Sequence, residues 1–290
     1  MKISVNSVIS VVEESLAHPF SHSPDVDLYQ VYNRLHHILG DCKMERTTLR
    51  RIRKRKADNK VYLCAPVNSL VEGIYEQNIP FYEIKKHGDF GLGTFNDLDG
   101  EMMMVDGEIF RVGSDGRVNQ ITDDDVCTPF ACVTNFQPFS EETLEREVSY
   151  VDFLKWMVEL MPSPNIFYAF RITGEFGYVK TRSVPKQENY RPLVEVAKEQ
   201  PTFEFNDVHG TMVGFYTPSF MASLSVPGVH LHFLTDDKSS GGHLLECRPR
   251  NVKLELQYLY TLELSLPSNL DYLTWDFQRD IGKDLDKAEK

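Results

Sequence analysis

Short alternating segments separated by turn residues constrain the fold of this chain more than any other feature. Residues 87–121 contain short segments that alternate between apolar and polar positions, separated by Asp-Gly at 106–107 and Ser-Asp-Gly at 114–116. Asp-Gly pairs favour tight turns between antiparallel strands. Alternation with a period of two residues is typical of half-buried strands. The segment therefore predicts a β-meander.

The second half of the chain is also rich in predicted strands. Their spacing favours a barrel or a folded sheet. A short helix is predicted at residues 193–200, between the first two of them. The predicted strands cover residues 166–184, 203–218, 228–235, 242–249 and 252–264.

Two prolines within residues 161–165 mark the best domain boundary, because proline stops a helix and stiffens a link. We predict an N-terminal extension at 1–60 with a basic insert at 50–56, a mixed-sheet domain at 61–162, and a β-rich domain with a charged tail at 163–290. The predicted fold class is α/β in the broad sense of a mixed fold, and more specifically α+β. It has two domains built on mixed sheets, the second β-rich and partly barrel-like.

A helix is predicted between these sheets, with Ser140 as its cap and its end near Met161. Glu141 and Glu142 would lie in its positive first turn. Leu144, Val148, Val151, Leu154 and Val158 recur at helical spacing and predict its apolar face.

Composition excludes several classes of function. The formal net charge is −12, which argues against general binding of nucleic acids or anionic membranes. The five cysteines are loosely spaced and form no Cys-x-x-Cys pair, which favours reduced thiols over a disulfide framework. The sequence contains neither a convincing signal peptide nor an apolar run of membrane-spanning length. We expect a cytoplasmic protein.

Three of the nine histidines lie within residues 230–243. His230 and His232 lie in a predicted strand and point to the same face, about 7 Å apart along the chain. The Gly-rich turn at 236–242 can bring His243 beside them. Three imidazole ligands with an open position are the arrangement of catalytic zinc. The domain at 163–290 is therefore predicted to be a metal-binding domain, with the metal site at the ends of its strands. Imidazole also suits iron, copper and nickel, so the trio does not identify the metal.

Lys180 and Arg182 alternate on one face of another predicted strand. An exposed strand face is one interpretation. The other is a carboxylate clamp, since the arginine guanidinium offers a two-pronged donor.

Several blocks of this sequence, in this order, resemble the α-acetolactate decarboxylase family. The resemblance spans about residues 61–250, and residues 1–60 have no counterpart in it. The blocks are KHGDFGLGTFNDLDGEM (85–102), TPFA (128–131), NIFYAFRITGEF (165–176), VKTRSVPKQ (179–187), GTMVGFYTP (210–218) and PGVHLHFLTDDKSSGGH (227–243).

The resemblance implies a metal held by His230, His232 and His243, with zinc as the divalent ion. It also implies further site residues in the matching blocks and in the tail: Glu101, Arg182, Thr94 and Glu289. The implied reaction is decarboxylation of 2-acetolactate to acetoin and carbon dioxide through a metal-stabilised enediolate. Arg182 would orient the carboxylate and Glu101 would shuttle the proton.

Two alternatives stay open. The same trio would serve another metalloenzyme, such as a dioxygenase or hydrolase, and a non-catalytic relative could retain the fold. The partners we predict are the acetolactate substrate and a second copy of the chain in a homodimer, with no nucleic acid and no membrane.

Overall fold

The protein is described by a computed structural model that covers residues 59–189, 191–279 and 282–289. The helix-like pattern at 26–40, the basic run at 50–56 and the rest of the N-terminal extension lie outside the described residues. The fold within them is mixed α+β and rich in strands, as predicted.

The described chain forms two β-sheets and six α-helices. The strands are β1 (Lys60–Leu63), β2 (Phe90–Thr94), β3 (Glu101–Val105), β4 (Glu108–Val112), β5 (Val118–Ile121), β6 (Ala131–Thr134), β7 (Ser140–Leu144), β8 (Phe167–Arg182), β9 (Thr202–Thr217), β10 (Gly228–Thr235), β11 (Gly241–Leu259) and β12 (Thr261–Leu264). The helices are α1 (Val67–Val71), α2 (Phe81–Ile84), α3 (Tyr150–Glu159), α4 (Leu193–Val196), α5 (Leu270–Thr274) and α6 (Gly282–Glu289).

The first sheet has the strand order β12-β1-β6-β2-β3-β4-β5. Its strands β2 to β5 are consecutive and antiparallel, so the predicted meander is confirmed. Asp106 and Gly107 join β3 to β4 with φ angles of 51° and 80°. Two consecutive positive φ values define the tight hairpin turn that an Asp-Gly pair favours.

The second sheet has the order β10-β9-β8-β11-β7, and β10 also pairs with β11. Each of the strands β8 to β11 therefore has a partner on both sides. The long strands β8, β9 and β11 carry most of this pairing.

Each sheet contains strands from both sides of the predicted domain boundary at residue 162. Strand β7 pairs with β11 in the second sheet, and β12 pairs in parallel with β1 in the first. The two-domain division stays a prediction.

The prediction of a helix from residue 140 is wrong at its start. Ser140–Leu144 is a strand, because the edge of the long strand β11 offers it five paired positions. The helix α3 begins after Ser149, whose side chain accepts a hydrogen bond from the Asp152 backbone N–H. This is the usual N-cap contact.

The predicted apolar face of that helix is also wrong in part. Val151 and Val158 are exposed, whereas Phe153 and Met157 are fully buried. They pack with the aromatic side chains of the second sheet, such as Phe233. The buried face of α3 is therefore set by the sheet that it covers.

The two sheets share an apolar core. Phe90, Leu92 and Phe110 of the first sheet belong to the same buried cluster as Phe215 and Leu234 of the second. This cluster fixes the first sheet against the face of β10 that carries Leu234.

Part of the predicted charged tail forms the helix α6. Leu285 and Ala288 of α6 are buried in one cluster with Leu70, Leu193 and Val226. Their spacing of three residues puts both side chains on one face of the helix. A short apolar face therefore docks a helix that is otherwise highly charged.

Leu285→Ala should lower the free energy of unfolding by about 2 kcal/mol, because it removes buried methyl groups and leaves a cavity. Urea denaturation followed by circular dichroism measures this. The matched control is Leu273→Ala on α5, whose side chain is 67% exposed. Equal effects of the two substitutions would contradict the docking of α6.

Candidate metal centre and active-site pocket

His230 and His232 lie in the middle of β10 and point towards the first sheet. The alternating residues Leu231 and Phe233 point into the core beneath α3. Both histidines are buried. The sequence-based prediction that they share one face, with their neighbours in the core, is confirmed.

His243 lies directly opposite His232, in the antiparallel pairing of β10 with β11. The turn between these strands reverses the chain as predicted. Gly242 makes the close approach possible, because its φ is 131° and a Cβ atom there would lie 2.4 Å from the Arg182 carbonyl oxygen. Few residues other than glycine adopt this conformation.

The three imidazoles form one compact, buried group. The Nε2 atom of His230 lies 3.1 Å from Nδ1 of His243, and the ring centroids of the three pairs are 4.8 to 5.4 Å apart. Each histidine offers one nitrogen such that all three nitrogens lie within 4.8 Å of one another. Nitrogens that share a tetrahedral zinc ion are about 3.3 Å apart, given the usual zinc–nitrogen bond length.

His232 shows most directly that the trio fits a metal. Its Nδ1 lies 2.9 Å from the Met102 carbonyl oxygen, to which it donates. The lone pair is then on Nε2, which is buried and has no hydrogen-bond partner among the described residues. A backbone acceptor that orients an imidazole in this way is the usual second contact of a metal-binding histidine.

Burial keeps the imidazoles of His230 and His232 neutral. It lowers the pKa of His230 to about 3, and the positive charge of Arg182 acts in the same direction. Burial also places the pKa of His232 well below its usual value, with further contributions from His230 and Arg182, while the hydrogen bond to Met102 opposes them. Neutral imidazole is the form that binds metals.

Glu101 is the first residue of β3 and approaches the histidines from the opposite sheet. It pairs with Thr94 on β2 and with Val112 on β4. The carboxylate atom Oε2 lies 3.5 Å from Nε2 of His232, and the side chain is buried. The structure therefore brings this predicted site residue to the trio.

Thr94 lines the same pocket. Its hydroxyl donates to the Gly100 carbonyl oxygen at 2.7 Å, and its own carbonyl accepts from the Thr128 hydroxyl at 2.7 Å. Thr94 thus fixes the turn that leads into Glu101.

Arg182 is the last residue of β8 and lies opposite His243 on β11. Its side chain is buried, and Nη1 donates to Oε1 of Gln200. Lys180, which shares the strand face in the sequence pattern, instead lies near the Glu204 carboxylate at 3.6 Å and is partly exposed. Only Arg182 of this pair lines the pocket.

The pocket next to the histidines is lined by both polar and apolar side chains. The apolar wall is formed by Val67, Leu70, Leu98, Phe130, Val184, Leu193 and Val226.

Comparisons with known proteins agree with this geometry. The sequence model of the alpha-acetolactate decarboxylase family matches residues 61–279. The chain belongs to the alpha-acetolactate decarboxylase family. The alpha-acetolactate decarboxylase of Brevibacillus brevis is 39% identical over 232 residues, which are 80% of this chain and 81% of that protein.

Solved structures of this family share the fold. The crystal structure of alpha-acetolactate decarboxylase from Bacillus subtilis strain 168 matches with a TM-score of 0.77 and 37% identity, over 79% of this chain and 99% of that one. A Staphylococcus aureus protein of unknown function, described as similar to alpha-acetolactate decarboxylase, matches with a TM-score of 0.76 and 28% identity. That match covers 80% of this chain and all of the other.

The structure does not test every residue that the alpha-acetolactate decarboxylase resemblance implies. Glu289 is the last residue of α6, but its side chain lies outside the described residues. Its role stays a prediction.

Among the described residues, no helix is both long and apolar enough to cross a membrane.

Sequence reasoning missed Gln200 and the apolar wall of the pocket. The wall comes from α1, α4, the loop after β2, the residue before β6, the segment after β8 and the loop before β10, which are far apart in sequence. No local pattern connects them, although each member is apolar. Gln200 lies at the end of a predicted helix, where polar residues are common and do not indicate a binding site.

His232→Ala should remove most of the bound metal while leaving the protein folded, because it deletes one of three ligand nitrogens. Elemental analysis after gel filtration of zinc-loaded protein measures the metal content. His209→Ala is the matched control, since His209 is exposed on β9. Full metal occupancy in His232→Ala would show that the trio is not the metal site.

Proposed function

We propose that this protein decarboxylates 2-acetolactate to acetoin and carbon dioxide, using a divalent metal held by His230, His232 and His243. The observation that carries the proposal is one pocket in which the three buried histidines meet Glu101 and Arg182. Membership of the alpha-acetolactate decarboxylase family supports the same reaction.

The substrate matches the groups of the pocket. Acetolactate carries a carboxylate and a hydroxyl on one carbon and a ketone on the next. When bound, the metal supplies a Lewis acid that stabilises negative charge on the oxygens of such a compound. The histidines contribute three neutral nitrogens, so they do not cancel the positive charge of the ion.

Arg182 binds and orients the carboxylate. A guanidinium forms paired, charge-assisted hydrogen bonds with a carboxylate, and the buried setting strengthens them. This contact holds the carbon–carbon bond that breaks in a fixed direction. When it breaks, carbon dioxide leaves and its bonding electrons remain on the substrate carbon, delocalised towards the former ketone.

Glu101 delivers the proton that completes the reaction. Its carboxyl group transfers a proton to the carbon that lost carbon dioxide, which gives acetoin. The Oε2 atom of Glu101 lies 3.5 Å from His232 Nε2, so this group is at the polar end of the pocket. Thr94 fixes the turn before Glu101 and thereby its position.

The apolar wall accommodates the two methyl groups of the substrate. It also excludes water, which would otherwise protonate the intermediate without control and weaken the contact with Arg182. Buried side chains such as Phe130, Leu193 and Val226 serve this purpose.

Zinc is the metal that we propose. An all-nitrogen set of three protein ligands with an open position suits catalytic zinc. We also propose that the second sheet is partly barrel-like, with the metal near its strand ends. The continuous pairing of β8, β9, β10 and β11, and the position of His243 near the start of β11, support this description.

Zinc-loaded protein incubated with racemic acetolactate should release acetoin and carbon dioxide in equal amounts, well above the spontaneous rate. Colorimetric acetoin detection and carbon dioxide trapping measure the two products. His209→Ala serves as an active control and His232→Ala as an inactive one. Product formation no faster than in protein-free buffer would exclude the proposed function.

Arg182→Lys should fold and bind metal but lower kcat/KM for acetolactate about 100-fold, because lysine is a point charge without a planar pair of donors. Steady-state kinetics measures the change. The matched control is Lys180→Ala on the same strand, whose loss should leave kcat/KM within about twofold. Near-normal turnover by Arg182→Lys would contradict a two-pronged contact.

A further inference from the structure

Gln200 is held beside Arg182 by the backbone. It follows the 3-10 turn Ala197–Glu199 and precedes Pro201, whose carbonyl accepts a hydrogen bond from the Ser183 N–H at 3.2 Å. Thr202 then pairs with Arg182 across β8 and β9. Residues on both sides of Gln200 are therefore tied to the strand end that carries Arg182.

The two ends of the Gln200 side chain have different surroundings. Oε1 accepts a hydrogen bond from Nη1 of Arg182. Nε2 is buried and has no hydrogen-bond partner among the described residues, although the residue lines the pocket. A buried amide donor without a partner destabilises the folded protein, because it has lost its hydrogen bonds to water. A group that enters the pocket and accepts a hydrogen bond would remove this cost.

The bound substrate provides such an acceptor. Its carboxylate has two oxygens and about four lone-pair sites, more than one guanidinium edge satisfies. An amide beside the guanidinium adds a donor without adding charge.

We propose that Gln200 and Arg182 form a joint carboxylate-binding pair, in which Nε2 of Gln200 donates a hydrogen bond to the substrate carboxylate and Oε1 orients the guanidinium. This inference rests on the proposed function, because acetolactate supplies the carboxylate. Gln200 thereby becomes a substrate-binding residue.

Two stable ligands separate this role from a general effect on the pocket. The first is 2,3-dihydroxy-2-methylbutanoate, which keeps the carboxylate of acetolactate but has no ketone and is not decarboxylated. The second is butane-2,3-diol, which has no carboxylate. Each is titrated calorimetrically, alone and in competition, into zinc-loaded protein.

Gln200→Met keeps the length of the side chain and removes both hydrogen-bonding groups. It should weaken binding of the dihydroxy acid about 10-fold or more, the scale of a hydrogen bond to a charged group, and leave diol binding within about twofold. Gln187→Met is the matched control. Gln187 also accepts hydrogen bonds from an arginine, Arg191, but does not line the pocket. It should leave both affinities unchanged.

The outcomes distinguish the two proposals. Wild-type protein that binds zinc but not the dihydroxy acid would overturn the proposed function and, with it, the role of Gln200. Wild-type binding together with an unchanged affinity in Gln200→Met, or an equal loss for both ligands, would overturn the role of Gln200 alone.

Two further measurements keep the test decisive. If Gln200→Met does not fold, Gln200→Glu replaces it. The added negative charge should weaken binding of the dihydroxy acid about 10-fold or more relative to wild-type protein. A crystal structure of the wild-type complex should place Nε2 within about 3.2 Å of a carboxylate oxygen. A carboxylate that contacts Arg182 but not Nε2 would overturn direct binding by Gln200.

Discussion

The pairing of β10 with β11 is the interaction on which the candidate site depends. Only three residue pairs form it, and one of them is His232 with His243. This pairing brings two strands with different neighbours into contact, so that His230, His232 and His243 share one space. Without it, His230 and His232 would remain a pair of strand residues with no third nitrogen nearby. The same strands also position Arg182, which lies opposite His243.

The first sheet supplies what the trio lacks. It contributes the Met102 carbonyl that orients His232 and the Glu101 carboxylate beside it. Burial between the sheets also lowers the pKa of His230 and of His232. The site is therefore a product of packing between sheets. Looser packing at Phe90 or Phe215 would change the distance between Glu101 and His232, because these two residues lie on different sheets.

Much of this arrangement was predictable because its determinants are local. The spacing of His230 and His232 and the Gly-rich turn before His243 are enough to predict the trio, and Asp106-Gly107 is enough to predict a hairpin. The strand at Ser140–Leu144 was not predictable, since the long edge of β11 imposes it on residues that also suit a helix. The docking of Leu285 and the contact between Gln200 and Arg182 depend on partners distant in sequence or on side-chain geometry, which no local pattern contains.

The parallel pairing of β1 with β12 has a consequence for how the chain folds. The first described strand of the protein finds one of its neighbours only in Thr261–Leu264, near the other end of the described chain. During synthesis from the N-terminus, one edge of β1 therefore stays unpaired until β12 has left the ribosome. Such non-local pairing slows folding and exposes a strand edge to aggregation in the meantime. Lys60, at the start of β1, places a positive charge on this unpaired strand. Charged side chains on strand edges discourage pairing between chains.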